Sequence, residues 1–203
     1  MGCPGSAVGP GHRPRRYGRA VTTRYVALLR AINLGASRRV PMPRLREVLT
    51  AHGYGGVRTH LASGNVLLDS ALDETALAAQ LTEVIREEFR LDVPVVVRTA
   101  AEMAGVLAAD PLGHLVTDPS RYSVTFVPEP LDPDRVATAP TYEGAALAVR
   151  ERELYLWLPE GLTAGPTANV RWDRVLGQTG TNRNWNTVRK LVEPAAATAN
   201  PER

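Results

Sequence analysis

The chain has 203 residues, 44% apolar and 22% charged, which is the composition of an ordinary soluble globular protein and enough for one large domain or two small ones. Its formal charge of +3 sits at the amino terminus: residues Met1 to Arg24 hold five arginines and no acid, and the remainder holds 19 basic against 21 acidic residues. The near-neutral body speaks against a nucleic-acid-binding surface. The single cysteine, Cys3, excludes an internal disulfide and a cysteine-built zinc site and fits a reducing cytoplasm.

Residues 1–22 are rich in Gly, Pro and Arg and lack the apolar run of a secretory signal, so they are expected to form a disordered basic tail. Val21 is the expected true start of translation. No stretch approaches the roughly 20 apolar residues of a membrane span. Lys190 is the one lysine among 24 basic residues, a bias that runs through the chain and reads as codon composition.

Arg24 to Ile32 is short, largely apolar and free of Gly and Pro, as a central strand would be. A loop follows, then a helix from Met42 to His52 with Leu45, Val48 and Leu49 at helical spacing, stopped by Gly53, Gly55 and Gly56. Two strands around Ser63 and Gly64 read as a hairpin. Asp73 can cap the next helix, whose Leu77, Leu81, Val84, Ile85 and Phe89 form one apolar stripe. The β-branched run Val93 to Arg98 completes a β-α-β-β-α-β order, the split βαβ unit of ferredoxin-like folds. The fold class expected is therefore α+β, a ferredoxin-like βαββαβ domain over residues 23–99.

A second α+β half ending in helices is expected over residues 100–194, with a disordered tail at 195–203. Thr99 and Glu102 have capping-box spacing before a helix through Met103, Val106 and Leu107. A strand at Tyr122 to Val127, a short helix near Asp134, a hairpin turning at Arg150 to Glu153, and helices near Val170 to Leu176 and Asn184 to Val192 follow. This half repeats the α+β style without a visible repeat of the first half's order.

In a split βαβ sheet the first strand lies antiparallel to the third, so the end of strand one and the hairpin turn share one sheet end. Asn33, Gly35, Arg38 and Arg39 should there approach Ser63, Gly64 and Asn65, beside the free amides that open the first helix. An anion pocket is one reading; a turn and a strand exit, which choose these residues anyway, are the other. Arg30 interrupts an apolar run and must find a carboxylate, a ligand or water. Near the carboxyl end, Trp185, Val188, Leu191 and Val192 share a helical face, with Thr181 or Asn182 as the cap. Arg183 would then sit at the positive end of the helix dipole, a misplaced charge that a bound anion or an acidic neighbour would explain.

The stretches "YVALLRAINLG", "VPMPRLREVLTAHGYGGVRTHLASGNVLL" and "TNRNWNTVRKL" together resemble the bacterial domain-of-unknown-function family 1697 from Tyr25 to Val192. The resemblance implies an α+β protein with a ferredoxin-like half and brings no activity, substrate or cofactor. The expected function is binding of a small anionic or phosphorylated ligand between the halves, through Arg30, Asn33, Ser63, Asn65, Arg183 and Asn186. One alternative is a metal-independent enzyme using the same cluster, although no titratable acid or base stands among these residues. The other is a nucleic-acid or protein-interaction module driven by the tail and the basic final helix. No metal-ligand spacing, nucleophile elbow, P-loop or dinucleotide motif is present. The cofactor is unknown. Of the two central strands only Tyr25 offers a stacking ring, which argues against RNA reading by the sheet.

Overall fold

The structure is a computed structural model describing residues 21–35, 38–163 and 165–196. Its α+β fold has two four-stranded antiparallel sheets. Of the tails expected over 1–22 and 195–203, residues 1–20 and 197–203 lie outside the described residues.

The first sheet is built from β1 (Thr23–Leu29), β2 (Gly55–His60), β3 (Asn65–Ser70) and β4 (Val95–Thr99), in the order β2-β3-β1-β4. With α1 (Met42–Ala51) and α2 (Glu74–Phe89) between them, this is the ferredoxin-like arrangement. β1 is buried on both faces from Arg24 onward, so it reads as a continuous apolar run rather than an alternation. Tyr25, Ala27 and Leu29 face a core closed by Leu45 and Leu49 of α1 and Leu77, Leu81 and Ile85 of α2. Val26 and Leu28 face the second half. Asp73 caps α2 by accepting from the Ala76 amide at 2.8 Å, as its spacing predicts.

The second half repeats this order, which its sequence did not show. Strands β5 (Tyr122–Phe126), β6 (Ala146–Arg150), β7 (Glu153–Trp157) and β8 (Thr181–Asn184) lie as β6-β7-β5-β8. Helices α4 (Pro133–Ala137) and α5 (Trp172–Leu176) take the two crossover positions, over a core of Leu154, Leu156, Val136 and Leu176. Each sheet is followed by a further helix, α3 (Ala100–Ala109) and α6 (Trp185–Ala196). These two pack together on the inner sheet faces, where Met103, Val106, Trp185, Val188 and Leu191 meet Val26, Val124, Phe126 and Tyr155.

β8 corrects an expectation. Thr181 and Asn182 do not cap a helix; they are strand residues paired with Phe126 and Thr125 of β5. Four polar residues make a poor strand by propensity, but the open edge of β5 supplies backbone partners that a free helix start lacks. The register buries Thr181 and Arg183 and leaves Asn182 and Asn184 half-buried. Trp185 starts α6 directly and is a core anchor, with its ring centroid 4.7 Å from that of Tyr122.

Candidate functional site

The two glycine-bearing bends do share one sheet end. Leu28 pairs with Asn65 at the last rung between β1 and β3, and the Leu29 amide donates to the Gly64 carbonyl at 2.8 Å. Gly64 has φ +81, and a Cβ there would lie 2.7 Å from Ile32 Cδ1, so the bend admits only glycine without rearrangement. Asn33, also at positive φ, sends Nδ2 to the Ala62 carbonyl at 2.7 Å and the Val40 carbonyl at 3.0 Å, while its Oδ1 accepts from the Val40 amide. One side chain thus ties the loop after β1 to the β2–β3 turn.

A cleft of about 570 Å³ opens beside this tie, lined by Asn33, Arg39, Met42, Thr59, Leu61 and Ala62 among others. Its wall is largely apolar, and Leu61 is half-exposed at 53%. Arg39 is exposed and makes no ion pair among the described residues. α1 begins here behind Pro41, with no side-chain cap and no acid in its first turn, so its first amides have no side-chain acceptor. Arg38, by contrast, uses its guanidinium on the carbonyls of Ala31 and Asp92.

The cations expected to hold a ligand between the halves already have partners. Arg183 is buried, and all five of its N–H donors are used: Nε on Asn65 Oδ1 at 2.5 Å, Nη1 on Thr181 Oγ1 and the Asn182 carbonyl, Nη2 on the carbonyls of Leu29 at 2.7 Å and Gly64 at 3.1 Å. It is a strand residue two positions before α6 begins, and its donors are spent on the bends of the first half, so no anion is needed to satisfy them. Burial lowers its pKa to about 10, which leaves it charged at neutral pH. Arg30 lies one residue past β1 and forms a two-pronged pair with Asp173 of α5, at 2.9 and 2.8 Å. Ser63 is exposed and accepts from Asn65 Nδ2. Asn186 is exposed in the first turn of α6, next to Asn184, whose amide bonds the Ser120 carbonyl; this is the opposite end of β8 from Thr181. The structure therefore brings Asn33, Ser63, Asn65 and Arg183 together, sets Arg30 on an ion pair, and leaves Asn186 apart.

A second buried arginine, not singled out in the sequence, crosses in the other direction. Arg98 of β4, 1% exposed, sends Nε to Glu153 at 2.8 Å and Nη2 to the carbonyls of Val127 and Arg152. Its only local signal is a charge at the end of an apolar run, the signal that also marks Arg30. Arg152 beside it bonds Glu74 at 2.8 Å and Glu102, so α2 and α3 are both tied to the β6–β7 turn. Burial alone would raise the Glu102 carboxyl; hydrogen bonds to Glu74 and to the Thr99 amide and hydroxyl, with the Arg152 charge, outweigh it and hold the pKa down to about 2. Glu74 is shifted upward, chiefly by burial and then by its bond to Glu102.

These shifts have opposite effects on acid stability. A depressed carboxyl stabilises the fold fully above its ordinary value of 4.5 and loses that contribution as pH falls towards about 2. Glu74, raised, binds its proton more tightly in the folded state and offsets part of the loss. Glu102→Gln is expected to flatten the decline in urea-unfolding free energy across that window. An unchanged slope would show that Glu102 is not held down in solution.

Among the described residues no group of three His, Cys, Asp or Glu is placed to hold a metal ion, and no helix is long and apolar enough to cross a membrane. Tyr25 is buried, its hydroxyl donating to the Leu72 carbonyl, so it offers no ring on the sheet surface.

The family model described as "Protein of unknown function (DUF1697)" matches residues 22–155. Among solved structures, the conserved bacterial protein SP0830 from Streptococcus pneumoniae is similar with a TM-score of 0.70 and 22% identity, over 86% of this chain and 99% of that one. At that identity the likeness speaks for the fold alone. No curated protein matches the chain.

Proposed function

The chain belongs to the DUF1697 family of proteins of unknown function, and we propose that it binds a small molecule carrying an anionic group on an apolar body. The observation that carries this reading is the cleft of about 570 Å³ beside the β2–β3 turn, a volume ordinary for small-ligand sites. Val40, Pro41, Met42, Leu61 and Ala62 supply the apolar wall, and Arg39 supplies a cation without a carboxylate partner among the described residues. The uncapped start of α1 favours negative charge on the same side. Asn33 shapes the wall; Ser63, Asn65 and Arg183 hold the turn behind it, and Arg30 ties the halves together without touching the ligand. Among the described residues the lining contains no carboxylate, histidine, cysteine or lysine, which favours a reading of binding rather than turnover. A cytoplasmic setting, inferred from the lone Cys3, goes with it. The nucleic-acid or protein-interaction alternative rests on the tail, which lies outside the described residues, and on α6, where Arg189 and Lys190 are exposed.

Protein-observed NMR titration with phenyl phosphate, benzoate and benzylamine tests the proposal. The two anions are expected to shift resonances around Asn33, Thr59 and Leu61, and Arg39→Ala to weaken them about tenfold, the size of one charge-assisted contact. Equal binding of benzylamine, or no response to either anion, would overturn it.

A further inference from the structure

The two halves carry the same latch with one difference. Arg98 and Arg183 hold matching positions in the last strand of each sheet, opposite Val26 of β1 and Val124 of β5. Each directs Nη2 to the carbonyl just after or at the end of the first strand and to the carbonyl just before the third: Val127 and Arg152 for Arg98, Leu29 and Gly64 for Arg183. The same two carbonyl-bearing bends are closed by matching backbone bonds, Val127 amide to Arg152 carbonyl and Leu29 amide to Gly64 carbonyl. Each arginine then directs Nε to the first residue of the third strand. That residue is Glu153 in one latch and Asn65 in the other.

The Glu153 carboxylate cancels the buried charge of Arg98, while the Asn65 carboxamide satisfies Arg183 geometrically and no carboxylate pairs with Arg183 among the described residues. Burying a cation without a counter-ion is costly, and the first half does so at the turn that borders the cleft: Arg183 grips Gly64, and Leu61 and Ala62 of the same turn line the wall. In a low-dielectric surround an uncancelled charge is felt well beyond its contacts.

We propose that Asn65 sets the charge preference of the cleft, by leaving Arg183 without a counter-ion so that the turn presents a positive field to whatever binds beside it. The inference rests on the cleft being the binding site. Asn65 acts through Arg183 and the turn, and is a positioning residue.

The test compares phenyl phosphate with uncharged benzyl alcohol by NMR titration on the wild type, Asn65→Asp and Glu153→Gln. Asn65→Asp is expected to weaken phenyl phosphate about tenfold while benzyl alcohol stays within about twofold. Glu153→Gln, in the mirror latch, is expected to move neither constant. Aspartate cannot reproduce the bonds Asn65 Nδ2 donates to the His60 carbonyl and Ser63, but damage from that loss would weaken both ligands alike, and an equal loss overturns the inference. Should Asn65→Asp not fold, the double variant Arg183→Met with Asn65→Leu removes the charge inside an apolar pair and reads the same ratio. Binding that needs Arg39 but ignores Asn65→Asp overturns this inference alone. Absence of phenyl phosphate binding to the wild type overturns the cleft reading with it.

Discussion

Replacing Arg183 with alanine is expected to destabilise the protein by about 3–5 kcal/mol in urea unfolding, at the upper end of single-substitution effects. Arg183 is 6% exposed and its side chain supplies five hydrogen bonds, three to backbone carbonyls and two to the side chains of Asn65 and Thr181. Its removal leaves Asn65 Oδ1 and Thr181 Oγ1 buried without their donor and opens a void between the two sheets. Arg183→Lys should recover only part of the loss, because three ammonium donors on a point charge cannot reproduce a planar five-donor fork. A cost below about 1 kcal/mol for the alanine variant would mean that water replaces the guanidinium freely and that the latch is not closed in solution.

Arg98→Met should cost about as much, roughly 3–5 kcal/mol, for a different reason: it strands the carboxylate of the buried Glu153 beside an apolar side chain. Adding Glu153→Leu should then restore most of the stability, since an apolar pair of similar volume replaces a buried ion pair at little net cost. Arg183 offers no such rescue through a carboxylate, because none pairs with it among the described residues. The contrast between the two latches is the check: in double-mutant cycles Glu153→Leu should repair Arg98→Met by several kcal/mol, because it removes a stranded charge, whereas Asn65→Leu removes only a neutral carboxamide and should repair Arg183→Met by less. Failure of Glu153→Leu to repair Arg98→Met would show that the Arg98 bonds to Val127 and Arg152, rather than the ion pair, carry its stability.

The arginine bias through the chain has a structural use that composition did not reveal. Arg30, Arg98, Arg152 and Arg183 each link one half to the other through forked or multiple bonds. A lysine at any of these positions would present one charge and fewer fixed donors.

Sequence by itself determined what depends on neighbours a few residues apart or on chain connectivity. The caps at Asp73 and Thr99, the apolar stripes of α1 and α2, the Ser63–Gly64 hairpin and the βαββαβ order all follow from local spacing. Connectivity then required the two bends to meet, because an antiparallel first and third strand place the end of one beside the start of the other. Tertiary structure alone decided that "TNRN" is a strand and that Arg183 faces Asn65 across 118 residues of chain. It also decided that the second half copies the order of the first and that the cleft beside the β2–β3 turn lies within one half. A strand's edge and a guanidinium's acceptors belong to whichever distant backbone packs against them, and local spacing carries no record of that choice.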